Sequence, residues 1–356
     1  MRSECPSDRG EVFAGGARVV VAVPALNESR VIEKVLRGLA AEAAGFAGFK
    51  IVVADGGSTD GTQAIVERLA GELPSISLMK NPAMIQSAGV NLVARCNPAA
   101  DILVRCDAHA VYPAHYIRDL VGTLARVGSD SVVVPMDCVG RSCFEKAVGW
   151  ASDTPVGSGG SAHRGGKRSG FVDHGHHAAF RMPAFLETGG YDESFRQNED
   201  AEFDNRLTAR GGRVFLDAGI RIGYHPRGNF GGLWRQYFNY GFGRSRTARR
   251  HPHTMRLRQL MVPGHLCIAI VSAFLAVATG KALFLAWPLL YLSVLLATSM
   301  VLAVSKRSFC GLLAGPAAGV MHTAWAAGFL AGLALTREAR FNRASPPRGA
   351  LQGGRT

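Results

Sequence analysis

The chain has 356 residues, 47% of them hydrophobic and 19% charged, with 40 Lys+Arg against 27 Asp+Glu for a formal charge of +13. That composition excludes disorder, a collagen-like repeat and a disulfide scaffold, and the length suits one large domain or two. The averages conceal a split: Val262 to Thr336 holds only three charged residues, Lys281, Lys306 and Arg307, and no acid. Everything before that stretch has the charge density of a soluble protein, so a soluble domain followed by a membrane domain is expected.

Residues 1–17 are polar and contain no apolar h-region, which predicts a disordered N-terminal segment and no signal peptide. Seven scattered cysteines form no CxxC pair and read as reduced thiols in a cytosolic compartment. Arg18–Val23 is a β-branched run closed by Pro24, suited to a buried parallel strand. Ser29 is placed to cap a helix with Val31, Val35, Leu36 and Leu39 on one face. Lys50–Ala54 is the next strand, followed by Asp55-Gly56-Gly57-Ser58-Thr59-Asp60 and a helix carrying Ile65, Val66 and Leu69. Strands at Ile76–Met79, Asp101–Arg105 and Ser131–Pro135, with a helix over Gln86–Ala94, complete an alternating pattern. It predicts an α/β domain over residues 18–233 with a mostly parallel sheet.

Ligands of such sheets sit at the carboxyl ends of the strands. Three loops there carry chemistry. Pro24-Ala25-Leu26-Asn27-Glu28 and the Asp55–Asp60 loop offer carboxylates, amides and glycine-permitted backbone approach, although either alone is also an ordinary turn or helix cap. Asp107-Ala108-His109 follows the third strand, where a carboxylate and an imidazole one residue apart suit Mn²⁺ or Mg²⁺. No GxGxxG follows the first strand, and GxxxxGK[ST], HExxH and GxSxG are absent.

These loops, with Gly189-Gly190-Tyr191-Asp192-Glu193 and Asn198-Glu199-Asp200, resemble family 2 glycosyltransferases of the GT-A fold, a Rossmann-like α/β class. Their patterns are P-x-x-N-E, D-D/G-G-S-x-D-x-T, D-x-D, and G-G-F-D-E with E-D. The whole chain is most similar to the bacterial exopolysaccharide glucosyltransferases of the succinoglycan type. The resemblance implies a base and ribose pocket at Pro24, Asn27 and Glu28, and a uracil contact at Asp55 with Gly57 and Ser58 beside it. It implies that Asp107 meets the ribose and diphosphate, that His109 stands where the family has a metal-binding Asp, and that Asp200 is the catalytic base. Asp200 is preferred to Glu199, which is kept as a binding residue; in the bland alternative both merely favour a helix N-terminus. Gly175 belongs to a loop approaching the donor sugar. The set His174-Gly175-His176-His177 lacks zinc spacing. His225 is a third metal candidate or a satisfied strand-end histidine, and Gly157–Gly170 is a loop over the phosphates or a linker.

The implied reaction is inverting transfer of a sugar, glucose by resemblance, from a UDP-sugar to a polyprenyl-diphosphate-linked oligosaccharide, assisted by Mn²⁺ or Mg²⁺. Direct transfer to polyprenyl phosphate, or a non-catalytic membrane-tethered nucleotide-binding protein, are the alternatives. Gln236 lies where processive synthases carry Q-x-x-R-W; the Arg-Trp is missing, which favours addition of a single sugar.

Residues 234–260 form a basic juxtamembrane segment, with seven arginines and no acid between Arg235 and Arg258. It is expected to face anionic lipid at the cytoplasmic side rather than nucleic acid. Residues 261–336 hold two apolar runs long enough to cross, Val262–Thr279 and Ala282–Val304, and a third, glycine-diluted one, Phe309–Thr336. The basic tail 337–356 conflicts with three spans, because it would then lie outside. Either the third run does not span or the charge rule fails there. A bacterial inner-membrane protein with a cytoplasmic catalytic domain is the expected location.

Overall fold

The computed structural model describes residues 16–158, 166 and 168–341. In chain order these form β1 (Arg18–Ala25), α1 (Ile32–Ala40), β2 (Gly48–Asp55), α2 (Thr62–Glu72), β3 (Ile76–Lys80), α3 (Gln86–Cys96), β4 (Ile102–Arg105), α4 (Tyr116–Val127) and β5 (Ser131–Val133). There follow β6 (Met136–Cys138), α5 (Cys143–Ser152), α6 (Pro155–Ser158), β7 (Gly170–Val172), β8 (His177–Arg181), α7 (Met182–Thr188), α8 (Glu199–Ala209), β9 (Val214–Leu216) and β10 (Ile222–Tyr224). Four long helices close the described chain: α9 (Phe230–Arg250), α10 (Leu257–Thr279), α11 (Ala286–Ser305) and α12 (Ala314–Leu335). Residues 1–15, most of the Gly157–Gly170 loop and the tail beyond 341 lie outside the described residues.

The chain divides into two units, the first comprising residues up to Pro135 with Gly166–Ile222. Its eight-stranded sheet has the order β3-β2-β1-β4-β8-β5-β9-β7. The strands β3, β2, β1 and β4 run parallel. β1, β2 and β4 carry continuous apolar runs, as strands buried on both faces do, and Val21, Val23 and Ile51 are fully buried. An antiparallel β8 separates β4 from β5, and β5 pairs in parallel with β9. Chain order reverses at β1, which has β2 on one side and β4 on the other. The carboxyl ends of β1, β2 and β4 therefore meet at a topological switch point. One helix start differs from expectation: α1 is capped by Val31 without a side-chain bond, and Ile32 rather than Val31 turns inward. Ser29 is instead held through its backbone N–H, which donates to Asp60 at 3.0 Å.

The second unit holds Met136–Gly165 and Gly223–Asn342. Here the expectation of seven reduced cysteines fails, because Cys143 at the start of α5 is disulfide-bonded to Cys310 after α11. They are 167 residues apart in sequence with Cα atoms 5.0 Å apart, a proximity created by tertiary packing that no local spacing could show. The glycines that dilute the third apolar run are its contact residues. Gly328 and Gly332 of α12 lie against Phe238, Phe242 and Ser245 of α9, and Gly241 of α9 lies against the Trp325 carbonyl. Small residues four apart on both helices let the backbones approach closely. A Cβ at Gly328 would strike the Phe238 carbonyl, whereas one at Gly264 in α10 meets nothing within 4 Å. Gly328→Val should therefore cost about 1–3 kcal/mol of overpacking, read as a lower melting temperature of detergent-solubilised protein. Gly264→Val is the control expected to melt like the parent.

The basic segment is also more structured than its composition implies. Arg244 donates to the Thr254 carbonyl and to Gln259, Arg246 and Arg250 pair with Glu338, and Arg249 donates to the Gly332 and Thr336 carbonyls. At least four of the seven arginines are thus held by protein groups.

Candidate active site

The first two strand-end loops are stitched to each other. The Gly56 N–H donates to the Ala25 carbonyl, Asn27 N–H to Ser58 Oγ, Glu28 N–H to Thr62 Oγ1, and Thr59 N–H to Asn27 Oδ1. Asn27 and Ser58 therefore spend their side-chain groups on holding the loops, the turn-forming role also open from sequence. Gly57 has φ +92°, a left-handed conformation in which a side chain would be strained. Pro24, Ala25, Leu26, Glu28, Asn81 and Met84 are among the residues lining one cleft, which extends to Asp107 and His109.

Asp55, the last residue of β2, is 2% exposed. Its Oδ2 accepts from Gly57 N–H, Ser58 N–H and Gln63 Nε2 at 2.8, 3.0 and 2.6 Å. Its Oδ1 is buried and has no partner. Burial alone would raise the carboxyl, but the hydrogen bonds from Ser58, Gly57 and Gln63 win and hold it below its ordinary value. A buried, ionised, unpartnered acceptor oxygen is costly unless a ligand supplies a donor.

Beyond β4 the charges are coupled. Asp107 Oδ1 accepts from Gln86 Nε2 at 2.8 Å and lies 3.6 Å from Arg105. Arg105, the last residue of β4, is 5% exposed, reaches Glu199 at 3.2 Å and stacks over the Tyr191 ring at 5.7 Å. Burial would raise the Asp107 carboxyl, yet Arg105 first and then His176 hold it well below the usual range. His109 Nδ1 is 2.8 Å from Glu28 Oε1.

Past Asp107, His176 places Nε2 3.5 Å from Asp107 Oδ2 and Nδ1 3.7 Å from Asp200 Oδ2. Burial would lower this imidazole; the two carboxylates outweigh it and push its pKa up to about 9. Gly175 is required by space, since a Cβ there would run into the Val133 side chain. Asp200 occupies the first turn of α8, and its Oδ1 accepts from the Ala201 N–H at 2.8 Å. Its neighbour Glu199 is buried and committed to Arg105. That distinction separates the pair: the Asp200 carboxylate is part-exposed, whereas that of Glu199 is nearly sealed against Arg105. Phe203 of α8 packs edge-to-face on Tyr191 and Phe180, and Tyr191 packs edge-to-face on Phe180 and Phe185, which anchors the first half of the helix.

Two residues with large effects were not singled out from sequence. Arg105 had a legible signal, since an arginine inside the apolar run Ile102–Cys106 is unfavourable unless paired. His176 was weighed only as part of a metal cluster; its role depends on β8 reaching β4. Gln236 and His225 belong to the second unit. Gln236 bonds the Tyr224 and Tyr240 hydroxyls, and His225 Nδ1 lies 2.8 Å from the Val139 carbonyl.

A mostly parallel α/β sheet with acidic loops at three adjacent strand ends is the arrangement of the GT-A glycosyltransferase fold. The chain belongs to glycosyl transferase family 2, whose model matches residues 20–189. It is 41% identical over 312 residues to the succinoglycan biosynthesis protein ExoA of Rhizobium meliloti (strain 1021), covering 87% of this chain and 93% of that one. Among solved structures it is similar to the mannosyltransferase PcManGT from Pyrobaculum calidifontis in complex with GDP-Man and Mn²⁺. That likeness has a TM-score of 0.58 at 20% identity and covers 90% of this chain and 88% of the other.

Proposed function

We propose that this glycosyltransferase moves a sugar from a UDP-sugar to a polyprenyl-diphosphate-linked oligosaccharide in exopolysaccharide synthesis, with inversion at the anomeric carbon. The observation that carries the chemistry is the line Asp107–His176–Asp200. It sets a carboxylate for the diphosphate side and a carboxylate for the acceptor side about one imidazole apart. The pathway assignment rests on the ExoA relative, and glucose on the family resemblance alone.

The orphaned Asp55 Oδ1 calls for a base whose pairing edge offers a ring N–H. Uracil N3–H supplies one, as does guanine N1–H; adenine and cytosine present ring acceptors there. Asp55→Asn is expected to weaken UDP binding by about tenfold or more, the scale of one hydrogen bond to a charged group, measured by calorimetry. A donor screen in purified membranes with UDP-glucose, UDP-galactose and GDP-mannose tests the reading: transfer from a UDP-sugar to extracted lipid supports it, and transfer from GDP-mannose alone rejects it.

The donor set suits a divalent cation. Asp107 is held ionised, and the Glu28 carboxylate accepting from His109 Nδ1–H would turn the Nε2 lone pair toward a metal. Among the described residues no three His, Cys, Asp or Glu side chains converge to hold one, so a cation at Asp107 and His109 would need water and substrate phosphates for its remaining ligands. When bound, the cation would neutralise charge developing on the leaving diphosphate. Asp200 takes the proton from the acceptor hydroxyl as that oxygen bonds to the anomeric carbon and the bond to UDP breaks. With one carboxylate at the reacting carbon, displacement is single, so an α-linked donor gives a β-linked product.

Three helices long and apolar enough to cross a membrane support a membrane location, and the arginine-rich approach to α10 favours the inner membrane with the catalytic unit cytoplasmic. That is the side on which nucleotide-sugars and the lipid-linked acceptor would meet.

A further inference from the structure

The Cys143–Cys310 bond joins two elements of the second unit that lie far apart in the chain. Cys143 is the first residue of α5, with Ser142 as its N-cap. Cys310 lies in the short 3₁₀ turn Phe309–Leu313 between α11 and α12. Cys143 is exposed and Cys310 half-buried, so a small thiol or disulfide can reach the pair. Arg141 and Lys146 flank Cys143, Lys306 and Arg307 precede Cys310, and all four cations are exposed. A helix N-terminus and neighbouring cations stabilise the thiolate, the form that attacks a disulfide. The one acid in that first turn, Glu145, is turned back, its Oε2 accepting from the Arg141 and Ser142 N–H groups at 2.7 and 3.2 Å. The helix does not depend on the bond for its place. Val148 packs among Leu233, Met321 and Ala324, Ala151 among Leu295 and Ala318, and the Phe144 ring meets that of Phe230 at 4.6 Å.

We propose that Cys143 and Cys310 are a reversible thiol–disulfide site, reduced in the resting cell and bonded when the cytosolic thiol pool is oxidised. The proposal rests on the reading of a cytoplasmic catalytic unit but not on the donor or acceptor. Only residues 134–142 separate Cys143 from β5 of the catalytic sheet, too few for a membrane-crossing helix, so the pair shares a face with that sheet. The cations Lys306 and Arg307 agree with that side. A cytosolic face keeps thiols reduced, and a bond that forms there is transient or redox-sensing rather than a permanent staple. The oxidant is a low-molecular-weight disulfide, such as glutathione disulfide. The Cys143 thiolate attacks one of its sulfurs, forms a mixed disulfide and expels one thiolate; the Cys310 thiolate then attacks Cys143 Sγ and expels the other. Two protein thiols are oxidised, one disulfide is reduced to two thiols, and the two protons pass from the cysteines to the leaving thiolates. In the chain α5 lies between β5 and β8, the strand that His176 immediately precedes. Oxidation clips the start of this segment to the α11–α12 turn, and reduction returns it to packing alone.

The test uses cells expressing the full chain, quenched in acid. Free thiols are capped with one maleimide, bonded cysteines are then reduced and capped with its heavy isotope form, and mass spectrometry reads each cysteine. Cys143 and Cys310 should be mainly reduced in unstressed cells, mainly bonded after diamide has converted cellular glutathione to its disulfide, and reduced again after recovery. A pair fully bonded before treatment and unchanged by it is a permanent staple and overturns the proposal, as does a pair that stays reduced under diamide. The location is checked on Cys96, the exposed last residue of α3, which a membrane-impermeant maleimide should spare in intact cells and label after permeabilisation. If Cys96 labels in intact cells, the location fails and the proposal with it; if Cys96 is spared and the pair does not cycle, the proposal alone fails. In purified oxidised protein a reductant should lower the melting temperature by about 5 °C, the effect of opening a long cross-linked loop, and should leave Cys143→Ser unmoved. An equal fall in both proteins means that the reductant acts elsewhere and overturns the clip.

Discussion

Asp200→Asn is expected to reduce sugar transfer by about 10²–10⁴-fold, the range set by loss of a positioned general base. UDP binding and the melting temperature should change little. The amide keeps the size and the bond from the Ala201 N–H to Oδ1 but cannot take a proton from the acceptor hydroxyl. Glu199→Gln provides the contrast. Glu199 is buried against Arg105, so its neutralisation should appear first as lost stability, with activity falling as the wall of the site loosens. Inverted results, with Glu199→Gln stable and inactive while Asp200→Asn turns over normally, would move the base to Glu199. His176 adds a second expectation. Its two nitrogens face Asp107 and Asp200, so His176→Ala should impair transfer even where the donor still binds.

The parallel core was legible because it is written in local pattern. Val19–Val23 and Ile51–Ala54 are apolar on both faces, and the acidic loops follow at once, so strand ends and site residues emerge together. Asp55 and Asp107 needed only strand order to fall at the same edge of the sheet, at the ends of the two strands that flank β1. The features that were not legible depend on long-range packing. β8 inserts antiparallel between β4 and β5, and only that insertion brings His176 between two acids. Cys143 and Cys310 meet across a sequence separation of 167. The glycines of the third run read as dilution of a span, whereas their spacing of four is what admits α9. Asn27 and Ser58 show the opposite case, in which two functional motifs in sequence place side chains whose hydrogen bonds in the structure close a loop.

Arg105→Met should be the most damaging substitution that touches no substrate. The guanidinium at the end of β4 faces Glu199 at 3.2 Å, Asp107 at 3.6 Å and the Tyr191 ring. All but Asp107 are nearly sealed from water. Removing it leaves a buried carboxylate without its cation, which typically costs about 3–5 kcal/mol, so a markedly lower melting temperature is expected. The fall in activity has a separate origin. Arg105 and His176 together keep Asp107 ionised, and without the arginine the carboxyl should protonate more readily. Its folded-state value lies below the unfolded one, so the stability it contributes is present above the unfolded value and lost as pH falls through the folded value; in Arg105→Met that loss should begin at higher pH. Arg105→Lys discriminates positioning from bulk. It retains a charge but not the fork that spans two acids, and should restore most of the melting temperature. Transfer should stay reduced by about 10²-fold, the cost of a reacting group displaced by roughly 1 Å. If Arg105→Lys instead regains full transfer, the arginine acts as a buried counter-charge and Asp107 does not need its geometry.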